Sequence, residues 1–84
     1  MYKLNKPIHI ACIKENEYIL SVPRLGIRVE INENVFQFIR YLQQKKIVDS
    51  KDVENYIKQE RIENAQDYIG LFQQMLQINI LIQA

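Results

Sequence analysis

The stretch from Asn64 to Leu81, NAQDYIGLFQQMLQINIL, is the feature that most constrains the fold of this chain. At about 100° per residue, Ala65, Tyr68, Ile69, Leu71, Phe72, Met75 and Leu76 fall in one apolar arc. Gln66, Asp67, Gly70, Gln73, Gln74 and Gln77 fill the other side. The arc is roughly 160° wide, broader than the ~100° stripe with which a helix faces a core. Asn79 stands where the helix should stop, because Asn tolerates the left-handed conformation of a helix C-terminus. No Lys or Arg lies between Ala65 and Leu76. Apolar surface to spare without cations predicts a grip on something apolar rather than on phosphate.

Upstream, the periodicity changes from helical to alternating. Met1 to Lys6 reads as a short polar lead, and Pro7 opens an extended segment. Ile8–Ile13 and Tyr18–Val22 read as strands, separated by the polar turn Lys14–Glu17. Gly26, after Pro23-Arg24-Leu25, supplies the positive φ of a turn. Ile27–Ile31 then alternates strictly, with Ile27, Val29 and Ile31 on one face and Arg28 and Glu30 on the other. Short connections make these strands an antiparallel meander whose last strand is an edge. Asn32 is the expected N-cap of a helix running to about Gln44, with Glu33 in its first turn. Asp49 or Ser50 caps a second helix through Gln59, with Val53, Tyr56 and Ile57 as its buried face. The tail Ile78–Ile82 is a short strand, a strap over the core, or a dimer contact. The expected fold is α+β and winged helix-turn-helix-like, a three-stranded antiparallel sheet followed by three helices, in a single domain spanning residues 1–84.

Composition narrows the function classes. Net charge is +1, with acids and bases mixed along the chain, so electrostatics alone predicts neither a nucleic-acid partner nor a membrane surface. The sole cysteine, Cys12, excludes an intramolecular disulfide and a cysteine-cluster metal site. No signal-like apolar region follows Met1 and no run reaches the ~18 apolar residues of a membrane span, so a cytoplasmic location is expected.

Two uses of a winged helix-turn-helix compete. A DNA-reading helix presents Arg, Lys, Asn or Gln to base edges and neutralises phosphates nearby. Here the last helix offers Gln66, Gln73, Gln74 and Gln77, while Glu63 and Asp67 occupy its start. The other use is peptide capture, in which an extended segment adds to an open sheet edge and neighbouring pockets select its side chains. Tyr68, Leu71 and Met75, with Phe72 behind them, are the candidate groove residues. Methionine suits a groove that accepts varied shapes. The competing assignment for these apolar residues, and for Ile27, Val29 and Ile31, is plain core. That for Arg28 and Glu30 is a solvated face.

The segments KPIHIACIKENEYILSVPRLGIRVEINENVFQFIRYLQ and DYIGLFQQMLQINIL resemble the PqqD-like proteins, or RiPP recognition elements. The shared pattern is strand, strand, Gly-containing turn, a strand ending in Ile31-Asn32, and a helix carrying Ile39 and Leu42. A final helix follows with Asp67, Tyr68, Leu71, Phe72 and Met75, and Asn79 replaces the family's terminal Gly. The Gly that usually follows the first helix is absent, with Gln43 to Lys46 in its place. The resemblance implies a module that binds the leader of a ribosomally made precursor peptide along the third strand, in the cleft against the third helix. It implies delivery of that leader to a peptide-modifying enzyme. Carried over, the leader pairs with Ile27, Arg28, Val29, Glu30 and Ile31 and presses apolar side chains toward Tyr68, Leu71, Phe72 and Met75. Arg28 and Glu30 meet its charged residues. An interaction domain for some other protein strand fits the same residues.

Catalytic chemistry is sparse. His9 and Cys12 lie three apart in a strand and so on opposite faces, which disfavours a dyad. A structural His9 and a buried, inert Cys12 are expected. No Gly-rich phosphate loop exists, and no His, Cys and carboxylate cluster suggests a metal. Asp49, Asp52 and Glu54 surround a helix start, where acids cap and solvate. The expectation is a binding domain with no catalytic residue, cofactor or metal.

Overall fold

Alternation and turn chemistry produce the main sheet. The computed structural model describes all 84 residues. After a short strand β1 (Tyr2–Leu4), strands β2 (His9–Lys14), β3 (Glu17–Val22) and β4 (Ile27–Asn32) form an antiparallel meander in the order β2-β3-β4. The register pairs Tyr18 with Ile31, Leu20 with Val29 and Val22 with Ile27, and side chains directly opposite share a face. Leu20 and Val22 on that face are buried. Arg28 and Glu30 lie opposite Ser21 and Ile19 on the other face. A single 3-10 turn at Pro23–Leu25 reverses the chain into β4, and Gly26 closes it at φ 64° with its N–H donating to the Pro23 carbonyl.

Each helix starts and stops on a local signal. Helix α1 (Glu33–Gln43) begins where the Asn32 side chain accepts a hydrogen bond from the Val35 N–H at 2.9 Å. Helix α2 (Ser50–Gln59) carries a reciprocal capping box between Asp49 and Asp52. Helix α3 (Ala65–Gln77) ends in a Schellman motif, with Asn79 at φ 66° and the Ile80 N–H donating to the Met75 carbonyl at 2.9 Å. Every residue of the expected apolar arc is buried or half-buried, and every residue assigned to the polar side is exposed. Just past α1, the Lys45 ammonium pairs with Asp52 at 3.5 Å and so ties α1 to α2.

Three expectations need correction. The first residues are not a polar lead. β1 pairs antiparallel with β5 (Leu81–Gln83), Tyr2 bridges Val48, and the Asn5 side chain donates to the Asn79 carbonyl. The tail thus takes its short-strand form, and Leu4 and Leu81 enter the core together. Cys12 is exposed rather than buried, and so is His9. Both lie on the outer strand β2, whereas α1 packs against β3 and β4, so the apolar run IHIACI is only partly covered. Val29, placed with the core by alternation, does face the helices but is 40% exposed. It lies where the helix layer leaves the sheet open.

The core fills the space between sheet and helices. Phe38 packs against Tyr56 at 5.2 Å and edge-on against Tyr68 at 5.4 Å between ring centres. Phe38, Ile39 and Leu42 anchor α1, while Phe72 and Met75 anchor α3. No helix is long and apolar enough to cross a membrane.

Candidate functional site: a groove between β4 and α3

β4 is an edge strand, so alternate residues along it direct N–H and C=O groups away from β3 with no strand to receive them. Beside that edge runs an apolar groove of about 320 Å³. Val29 and Ile31 of β4 form one wall, and Leu71 and Ile78 form the other. Met75, Leu20, Val35, Ile39 and Ile80 also line it. Val29 and Ile78 are 40% and 39% exposed, so two of the few exposed large apolar residues line one groove. Met75 is 2% exposed, which makes it floor rather than rim. Glu30, Asn32 and Gln74 are the polar groups of the lining.

The groove opens into a second, larger hollow of about 580 Å³ near the start of α3. Asn32, Val35, Leu71 and Gln74 line both, while Asn64, Gln66 and Asp67 give the larger one a polar character. An extended ligand along β4 therefore meets an apolar section and then a polar one.

The expected site residues separate into distinct roles. Val29, Ile31, Leu71 and Met75 come together in the groove, with Glu30 at its rim. Tyr68 lines the polar hollow but is mainly core, edge-on to Phe38 and 5.9 Å from Tyr56. Phe72 faces away from the groove and meets the edge of the Tyr2 ring at 6.0 Å. Ile27 is half-buried outside the groove, and Arg28 lies on the open face of the sheet. Sequence reasoning missed Val35, Ile39 and Ile78. Ile78 was within reach, since Leu71, Met75 and Ile78 are spaced i, i+4, i+7 and share a helical face.

Ionisation adds structural detail at three tyrosines. The Tyr18 phenol donates to the Glu33 carboxylate at 2.9 Å, and that bond raises its pKa above the ordinary tyrosine value. Its ring stacks on Phe36 with centres 4.1 Å apart, which braces β3 against the first turn of α1. Burial raises the pKa values of Tyr56 and Tyr68. The groove lining contains no His, Cys, Ser or Lys, and no three His, Cys, Asp or Glu residues are grouped to hold a metal ion. His9 and Cys12 lie on β2, separated from the groove edge by β3. What the groove offers chemically is main-chain pairing along one side and apolar contact along the other. Compared with protein-family models, with curated proteins and with solved structures, the chain matches none.

Proposed function

We propose that this chain is a non-catalytic recognition domain that captures the leader of a ribosomally synthesised precursor peptide by strand addition to β4. It delivers that leader to a peptide-modifying enzyme in the cytoplasm, without a cofactor, nucleic acid or membrane. The observation that carries this reading is the coincidence of an open strand edge with an apolar groove along it. The resemblance to RiPP recognition elements gives the ligand class.

Magnitudes explain why both features are needed. Three outward-facing residues of a six-residue strand exchange up to about six main-chain hydrogen bonds, worth roughly 3–9 kcal/mol in all. Ordering a peptide of similar length costs about 6–12 kcal/mol in backbone entropy. The edge alone does not hold a peptide. Apolar side chains, projecting from one face of the added strand every ~7 Å, must bury themselves against Val29, Leu71 and Ile78 to tip the balance. Selectivity then resides in the groove and register in the edge.

DNA binding is less well supported by the same surface. The exposed side of α3 carries glutamines without a cation, and Asp67 stands at its N-terminal turn. An amide NMR titration tests the assignment, using a candidate leader peptide of a ribosomally made precursor and then a random duplex. Shifts concentrated in Ile27–Asn32 and Leu71–Ile78 with peptide, and none with duplex, are the expected result. Shifts with duplex that fade steeply with salt would replace this reading with a DNA-binding one.

A further inference from the structure

Away from the groove, five of the eleven Lys and Arg residues of the chain converge on one basin of about 310 Å³. Lys3 arrives with β1 and Lys6 just after it, Arg24 with the turn before β4, and Lys45 and Lys46 with the segment after α1. Leu4, Asn5 and Ile82 complete the lining, and no carboxylate does. Lys45 is partly neutralised by Asp52, and its ammonium also lies 4.9 Å from the centre of the Tyr41 ring. Lys3, Lys6, Arg24 and Lys46 have no ion-pair partner. In a chain of net charge +1, cations can disperse at no cost. Their convergence from three distant segments concentrates repulsion and positive potential in one place.

We propose that this basin docks an acidic segment of a protein partner, separate from the peptide held in the groove. Charge complementarity sets the sign of the occupant. The Arg24 guanidinium can fork a carboxylate, while the lysines act as mobile point charges around it. Leu4 and Ile82 give the aliphatic stems of glutamates an apolar floor. Single-stranded nucleic acid fits less well, because no aromatic side chain lines the basin to stack a base. A duplex fits less well too, because affinity grows with the number of phosphates neutralised along a track and this is a compact cup.

The placement makes the two sites compatible. Val35, in the first turn of α1, lines the groove, and Lys45, just past its last turn, lines the basin. From Val35 to the end of α1 at Gln43 the helix rises about 12 Å, so the two sites lie at opposite ends of α1. One face can hold a peptide while the other holds the acidic partner.

The test uses the full chain, labelled for amide NMR, and a capped hexaglutamate peptide as the probe at low ionic strength. Shifts should concentrate at Lys3–Lys6, Arg24, Lys45 and Lys46, and affinity should fall about tenfold on going to physiological salt. A double variant, Lys3→Gln with Lys6→Gln, alters two exposed side chains and should weaken hexaglutamate about tenfold without moving groove resonances. Leu71→Asp, which spoils the groove, should leave hexaglutamate binding intact, so failure of the leader assignment and failure of this one are read separately. Absence of shifts at the basin would overturn the proposal. So would equal shifts with inorganic phosphate at matched charge, tighter binding of a short duplex, or displacement of hexaglutamate by the groove peptide.

Discussion

Val29→Thr isolates the groove from the fold more cleanly than any larger change. Threonine has the shape of valine and a comparable preference for strands, so the free domain loses little by the exchange. Val29 is already 40% exposed, and its new hydroxyl would remain in water until a peptide covers it. Full burial of a valine side chain stabilises by about 1.5–3 kcal/mol, so covering the 40% still exposed contributes about 0.6–1.2 kcal/mol to peptide binding. In the variant that gain shrinks, and the hydroxyl is desolvated without a partner at a cost of about 0.5–2 kcal/mol. Because the two effects overlap on one side chain, a total loss of about 1–2 kcal/mol is expected, or roughly 5- to 30-fold in Kd. Fluorescence anisotropy with a labelled leader peptide measures the affinity, and urea denaturation measures the fold, where a change within about 0.5 kcal/mol is expected. Unchanged affinity in a folded Val29→Thr domain would refute the groove as the peptide contact. A loss of stability well above that range would show that Val29 is covered in the free state, and the magnitude worked here would fail.

Further outcomes follow from the geometry. Met75→Ala, at a floor position only 2% exposed, should cost about 2–5 kcal/mol in urea denaturation, whereas Leu71→Asp on the groove wall should abolish leader binding in a domain that still folds. Asp49→Ala dismantles the capping box of α2 and should lower stability by about 1 kcal/mol; no loss would mean that the box is absent in solution. Gly26→Ala places a Cβ in open space but in left-handed backbone, so a cost of about 1 kcal/mol is expected from backbone conformation alone. Tyr18, Tyr56 and Tyr68 have raised pKa values in the fold, so their protonated forms are favoured there. Stability should be at its full value below the ordinary tyrosine pKa of about 10 and should fall as pH rises through their folded values. Tyr18→Phe, followed by thermal melts across that alkaline range, should flatten part of the decline, because the bond to Glu33 is then gone.

Most of the fold is legible wherever a local period exists. The arc of α3, the alternation of β4 and the caps at Asn32, Asp49 and Asn79 each follow from interactions within a few residues. β1 is not legible in this way. Tyr2-Lys3-Leu4 is too short to show a period, and its partner, Leu81–Gln83, lies at the far end of the chain. Alternation also says which face a residue takes without saying whether that face is covered there. The same limit explains Cys12, on a strand beyond the helices, and Val29, at the groove between the sheet and the helices. Of the nine apolar residues that line the groove, four were therefore readable, namely Val29, Ile31, Leu71 and Met75, while its openness was not. Phe72 has the same apolar character as these residues, but its angle on the α3 wheel sends it to Tyr2 instead. The basic basin is less legible still, because no window of sequence contains more than two of its cations.

The sheet has two open edges, and they are not equivalent. β2 loses its register between Cys12 and Lys14, where an irregularity blunts the edge for further pairing. It ends at an exposed Lys14–Glu17 ion pair and has none of the groove beside it. A strand adding to β2 would gain main-chain bonds and little else, and those do not outweigh the entropy of ordering it. β4 keeps an unbroken register through all its pairs with β3, from Ile27 opposite Val22 to Asn32 opposite Glu17. Of the two edges it alone has α3 alongside, so that an added strand finds main-chain partners at alternate residues and an apolar wall for the side chains on one face. That asymmetry comes from topology rather than from strand composition: β4 runs directly into α1 through the Asn32 cap, α1 packs on β3 and β4, and α3 joins this layer through α2. The order of elements along the chain therefore decides which of two similar strand edges is able to discriminate among peptides.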